Sequence, residues 1–163
     1  MLARSTQNPG VNMAHWLFKS EPSVFSYEKL AGEGAKGTDW SGIRNHSAKL
    51  NMMAMQPGER GFFYHSNEGK AVVGIVEVSA PYRPDPTDST GKFGMVDIRA
   101  VEPLPKAVTL EAVKAEPRLA KMALVANSRL SVQPVTPEEW EIVCALGGLK
   151  TAQRGAKRAK SPA

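Results

Sequence analysis

The chain's 163 residues, 42% apolar and 23% charged, suffice for one domain with a buried core and exclude a wholly disordered chain. One cysteine, Cys144, excludes a disulfide framework and a Cys-rich zinc module, and the longest apolar run, residues 71–78, falls short of the ~20 needed to cross a bilayer. Of the 21 basic residues, Lys150, Arg154, Lys157, Arg158 and Lys160 follow Leu149 with no acid among them, which leaves 16 against the 16 acids and assigns the net charge of +5 to a tail.

In chain order, residues 1–14 hold an Asn8-Pro9-Gly10 turn and no signal-peptide core, and read as a flexible N-terminal extension. The apolar pattern begins only after Met13, a candidate start, and a soluble cytoplasmic protein is expected. Residues 15–19 predict a strand stopped at Glu21-Pro22, and residues 27–31 a brief helix before a glycine-rich stretch. Residues 43–54 predict a longer helix, with Ile43, Leu50 and Met53 near helical spacing and Gln56-Pro57-Gly58 ending it. Residues 61–65 and 71–78, separated by Asn67-Glu68-Gly69, predict a hairpin whose second strand is apolar on both faces and therefore buried.

Residues 79–93, with Pro81, Pro84, Pro86 and Gly91, read as a long loop of a length that is more often functional than accidental. Residues 95–102 alternate, with Val96, Ile98 and Ala100 on one face and Asp97 and Arg99 on the other. Thr109 predicts the cap of a helix over residues 110–115. Residues 129–135 alternate as a half-buried extended segment does. Thr136-Pro137-Glu138-Glu139 then predicts a capping box opening a last helix, which buries Trp140, Val143 and Cys144. The elements add up to an α+β domain over residues 15–149, a small curved sheet or barrel with helices around it, followed by a basic disordered tail at residues 150–163.

No G-x-S-x-G elbow or P-loop is present, and His15, His46 and His65 lack the i, i+4 spacing of a helical zinc site, so neither metal nor cofactor is expected. Chemistry concentrates instead at strand ends and turns. Lys19-Ser20-Glu21 follows an apolar strand, Trp40 sits in the polar turn Asp39-Trp40-Ser41-Gly42-Ile43-Arg44-Asn45, and His65-Ser66-Asn67 ends an aromatic strand. A tryptophan face stacks on a base for about 1–3 kcal/mol, and Ser, Asn and His side chains read the edge of a flipped base. Plainer roles stand beside these. Trp16 and Trp140 read as core, Trp40 as either core or platform, Lys19 and Arg44 as solvated charges, and Ser20 or Asn45 as caps. The residues by themselves point to binding of something planar.

Five segments in order resemble the EVE domain family: WLFKSEP (16–22), WSGIRN (40–45), GERGFFYHSN (58–67), VVGIVEV (72–78) and RLSVQPVTPEEW (129–140). The resemblance implies a PUA-like fold, a small mixed β-barrel with helices packed around it, and kinship with YTH domains, which read methylated adenine in RNA, and with ASCH domains. It further implies a pocket for a modified base in DNA or RNA. Trp40 is then the stacking platform or cage wall, and Ser20 with the backbone near Lys19 and Glu21 bonds the base edge. Arg44, Asn45, His65, Ser66 and Asn67 line the mouth or touch sugar and phosphate, and Arg129 and Ser131 close the far side. His46 departs from the tyrosine that many members carry there. The expected function is a non-catalytic reader of modified nucleic acid, without a membrane partner. The alternatives are a hydrolase of a modified nucleoside using Lys19, Glu21 and His65, and a protein-interaction module built on the proline-rich residues 81–86.

Overall fold

Strand β1 (His15–Ser20) sends Trp16 and Phe18 to one side of the sheet and Leu17 to the other, as the two-residue period of an extended chain requires. This is a computed structural model that describes residues 13–149; the tail at 150–163 and residues 1–12 of the N-terminal extension lie outside the described residues. Strand β3 (Arg60–His65) runs parallel to β1, with Trp16 beside Gly61 and Ser20 beside His65. Phe63 joins Trp16 and Phe18 on the first face, while Phe62 and Tyr64 join Leu17 on the second.

A parallel pair needs a crossover connection. Here it holds α1 (Tyr27–Gly32), a 3₁₀ turn (Gly34–Lys36), the two-residue strand β2 (Thr38–Asp39) and α2 (His46–Ala54). The chain continues through β4 (Ala71–Pro84), β5 (Gly94–Thr109), α3 (Leu110–Ala115), a second 3₁₀ turn (Pro117–Leu119), α4 (Ala123–Ala126), β6 (Val132–Val135) and α5 (Pro137–Leu146). The strand order is β2-β5-β4-β3-β1-β6.

The sheet is mixed and strongly irregular but not closed, which corrects the expected barrel. β2 pairs only with β5 and β6 only with β1. Closure would bring these two short edges together; instead α2 packs against the edge strand β6 and against β5 and β4. Asn51 Nδ2 donates to the Val132 carbonyl of β6 at 2.7 Å, so a helix side chain bonds a strand that has one strand neighbour.

The helices end where their caps dictate. Asn45 Oδ1 accepts the Ala48 amide at 2.8 Å, so α2 starts at His46 and not at Ile43. Its inward residues are Ala48 and Met52, while Leu50 and Met53 are 63% and 50% exposed, the reverse of the face that spacing suggested. Thr109 and Thr136 cap α3 and α5 as predicted, the second within a full capping box with Glu139. The hairpin between β3 and β4 forms with Asn67 at φ 70, a left-handed turn position that asparagine tolerates. β4 is central, paired to both β3 and β5.

The expected long loop is shorter than its sequence suggests. β4 runs on through Pro81 to Pro84, paired only with β5 there (Arg83 opposite Met95), and a proline costs no ladder bond on an unpaired side. Residues 85–93 remain as the connection, so residues 81–86 do not form a free proline-rich loop.

Trp140 is half-buried, and Ile142 takes the core position expected of it. Its ring stacks at 4.2 Å on Phe62 and at 4.1 Å on His15. His15 Nδ1 is buried without a partner among the described residues. Burial, partly opposed by Glu59 and reinforced by Arg60, lowers the ring's pKa from 6.5 to about 4. The unfolded chain therefore takes up this proton first. Stability is complete above the unfolded pKa near 6.5 and declines as the pH falls toward 4. In His15→Phe, which keeps a ring on Trp140 with nothing to protonate, the urea midpoint should fall less over that window; equal declines in variant and wild type would contradict this.

Candidate functional site

The crossover leaves β1 at Ser20 and turns sharply, because the Ser20 hydroxyl donates to the Phe25 carbonyl at 2.6 Å. That bond sets Val24 and Phe25 against the end of β1. Facing them is the segment that leaves β2, fixed where the Trp40 amide donates to the Val96 carbonyl of β5 at 2.7 Å. Between the two lies a cleft of about 380 Å³, walled on one side by Lys19, Ser20, Val24 and Phe25 and on the other by Thr38, Asp39, Trp40, Ser41 and Ile43. A second cleft of about 380 Å³ on the far side of β2 carries Glu33, Lys36, Arg83 and Asp97 but no aromatic ring, so it offers no stacking face.

Trp40 is a core residue that also borders the cleft. It is 8% exposed and belongs to the first-face core, with Phe18, Phe63 and Phe25 meeting its ring near-perpendicularly at 5.6, 5.8 and 6.3 Å. Its remaining accessible strip borders the cleft. Three edge contacts lock the ring orientation, so any ligand meets a preset surface.

Asp85 sets the turn that carries Trp40. Its side chain is fully buried. Oδ2 accepts the Gly42 amide at 2.7 Å and Arg44 Nη1 at 3.3 Å, and Oδ1 accepts the Thr87 amide at 2.7 Å and hydroxyl at 2.6 Å. Burial opposes the carboxylate's charge, but the Thr87 hydroxyl, the Gly42 and Thr87 amides and Arg44 outweigh it and bring the pKa from 3.8 to about 2. Gly42 sits at φ 83, a conformation that glycine adopts without strain.

Of the residues singled out from the sequence, the fold gathers Lys19, Ser20 and Trp40 on the cleft. Lys19 is half-buried; its ammonium donates to the Ser128 carbonyl at 2.5 Å, and burial lowers its pKa. Glu21 is exposed in the following turn. Arg44 lies behind the wall, held by Asp85 and by Thr87 Oγ1 at 3.1 Å. Asn45 caps α2. His65 Nε2 accepts the Tyr27 amide at 3.1 Å, and burial, opposed by Glu28, lowers its pKa. The Ser66 amide donates to the Ser20 carbonyl at 2.9 Å, tying the ends of β3 and β1 together, and Asn67 is exposed in the hairpin turn. Arg129 is exposed before β6, and the Ser131 carbonyl accepts the Lys19 amide at 3.0 Å.

Val24, Phe25, Thr38 and Asp85 were not legible as site residues. The one signal for the first two is an apolar pair inside an otherwise polar turn, with Val24 69% exposed. The local turn from Asp85 to Thr87 says nothing of the site, since the partners that tie Asp85 to it, Gly42 and Arg44, lie 43 and 41 residues away.

An open mixed sheet with helices on both faces is an α+β arrangement, consistent with the PUA-like fold that the family resemblance implies. The chain belongs to the EVE domain family, whose family model matches residues 14–146. It is 31% identical over 175 residues to human thymocyte nuclear protein 1, covering 87% of this chain and 78% of that protein. Among solved structures, a protein from Agrobacterium tumefaciens is 52% identical with a TM-score of 0.82, covering 92% of this chain and 99% of that one. Human THYN1 in complex with DNA containing 5-methylcytosine is 31% identical with a TM-score of 0.76, covering 84% and 99% of the two chains. The YTH domain of Zygosaccharomyces rouxii MRB1, at 19% identity and a TM-score of 0.53 over 90% of each chain, shares the fold alone.

Proposed function

We propose that this chain is a non-catalytic reader that holds a modified base of DNA or RNA in the Trp40 cleft. The observation that carries the reading is the locked Trp40 ring on the wall of an open cleft, in a family where human THYN1 is bound to 5-methylcytosine DNA. The strip of Trp40 supplies an aromatic contact, Ser20 Oγ keeps acceptor capacity after donating to Phe25, and Asp39 can accept from an exocyclic amine. Val24, Phe25 and Ile43 form the apolar part of the walls and suit a small base substituent such as a methyl group. Burying one methyl contributes about 0.8 kcal/mol, roughly a fourfold preference.

The hydrolase alternative needs Lys19, Glu21 and His65 aimed at one reacting atom. Lys19 donates to Ser128 and His65 accepts from Tyr27, so both serve to hold the fold, which favours the reader. Fluorescence-polarisation titration with single-stranded oligonucleotides carrying one 5-methylcytosine or one cytosine, in DNA and RNA forms, tests the reading. Tighter binding of the methylated strand by about fourfold is expected; equal affinities would contradict it.

A further inference from the structure

Phe93 lies at the end of the 85–93 connection with an unusual concentration of cations around it. The Arg44 guanidinium carbon is 5.8 Å from the ring centroid, Lys49 Nζ is 5.7 Å away, and the His46 ring packs at 5.1 Å. Significant cation–π contacts occur about once per 70–80 residues, so two on one ring mark a gathered group rather than a background frequency. Lys49, and exposed Lys92 beside Phe93, have no carboxylate partner among the described residues. Two acids lie nearby. Asp85 is buried and engaged as described. Asp88 accepts the Phe93 amide at 2.7 Å and the Thr90 amide and hydroxyl at 2.9 and 2.6 Å. Arg44 and Lys49 match these two acids, and Lys92, next to Phe93 in the chain and exposed, adds one further positive charge.

Its place matters as much as its charge. Ile43 lines the cleft, and Arg44, the next residue, donates from its guanidinium to the Ile43 carbonyl at 3.0 Å. The cations therefore begin directly behind the cleft wall.

We infer that Arg44, Lys49 and Phe93 form a seat for the phosphodiester that adjoins the base held in the cleft; this rests on the reader function proposed above. Phe93 gathers the Lys49 side chain beside Arg44, which Asp85, Thr87 and the Ile43 carbonyl already hold, so less rotamer freedom is lost when the two meet a phosphate. Such a contact is blind to the base, and it contributes affinity and strand position but no selectivity.

The test is the salt dependence of binding to single-stranded DNA oligonucleotides carrying 5-methylcytosine or cytosine. Lys49→Gln, with folding checked by thermal melt, should reduce the log–log salt slope by about 0.7, so that affinity falls about two- to threefold less than wild type between 50 and 200 mM salt. The preference between the two oligonucleotides should stay the same. Lys114→Gln, on the exposed side of α3 at the opposite face of the sheet, should leave the slope at its wild-type value. A wild-type slope in Lys49→Gln, or an equal loss in Lys114→Gln, overturns the seat. Loss of base preference in the wild type overturns the reader and leaves the slope to decide the seat. A wild type that binds no oligonucleotide overturns both.

Discussion

Trp40→Ala should lower stability by about 3–5 kcal/mol, the scale for removing a large buried aromatic ring. The ring fills space between Phe18, Phe25 and Phe63, and nothing near it can collapse without disturbing β1 or β3. Urea unfolding checks that figure. The same substitution would also abolish base binding, but an unfolded variant cannot report on a cleft. Trp40→Leu separates the effects, because leucine keeps apolar bulk against the three phenylalanines and has no ring face. It should stay folded and bind the preferred oligonucleotide about 1 kcal/mol more weakly, roughly fivefold, the low end for a base on an aromatic ring because only a strip of Trp40 is open. Unchanged affinity in a folded Trp40→Leu protein would return Trp40 to a purely structural role.

Asp85→Ala should weaken binding although Asp85 touches no part of the cleft. The substitution removes the acceptor shared by Gly42 and Arg44, so the turn that presents Trp40, Ser41 and Ile43 loses its anchor. A stability loss of about 1.5–3 kcal/mol is expected, the range for hydrogen bonds to a charged group. The pH dependence has a definite sign. The folded carboxylate's pKa is depressed, so its stabilisation is complete above the ordinary value near 3.8 and is lost as the pH falls toward 2. This window lies below that of His15, so the two groups separate in a pH series. Asp85→Ala should flatten the low-pH limb and speed amide exchange at Gly42. Wild-type exchange at Gly42 together with an unchanged acid limb would show that Asp85 does not hold the turn.

Local signals in the sequence were sufficient for two helix starts: Thr109 and Thr136 cap helices through bonds that reach three residues along the chain, so each cap is legible from spacing. Asn45 caps in the same way, but the apolar spacing from Ile43 masked it. β1 and β5 show their alternation openly. The face of α2 was not legible, because Leu50, Met52, Met53 and Met55 place apolar side chains around much of the helix. Only its packing against β4, β5 and β6 selects Ala48 and Met52 as the inner pair. The open sheet was equally hidden. Strand count suggests closure, but β2 is only two residues long and the edge strand β6 packs against α2. At the candidate site, Trp40 and Lys19-Ser20, all three of which the fold places on one cleft, stood out by type and setting. Phe25 and Asp85 did not, because their roles exist only once distant segments meet. Asn45 and His65 illustrate the converse: polar residues at the right place in the sequence whose hydrogen-bonding capacity the fold uses for itself.

The claim that matters most is that a base enters the cleft beside Trp40. An isotope-edited NOE spectrum of labelled protein with an unlabelled oligonucleotide carrying a single 5-methylcytosine measures this directly. The expected result is contacts from the 5-methyl protons to the Trp40 ring and to side chains of Val24, Phe25 or Ile43. A bound oligonucleotide whose methyl protons contact only residues outside those walls would contradict the cleft as the base site.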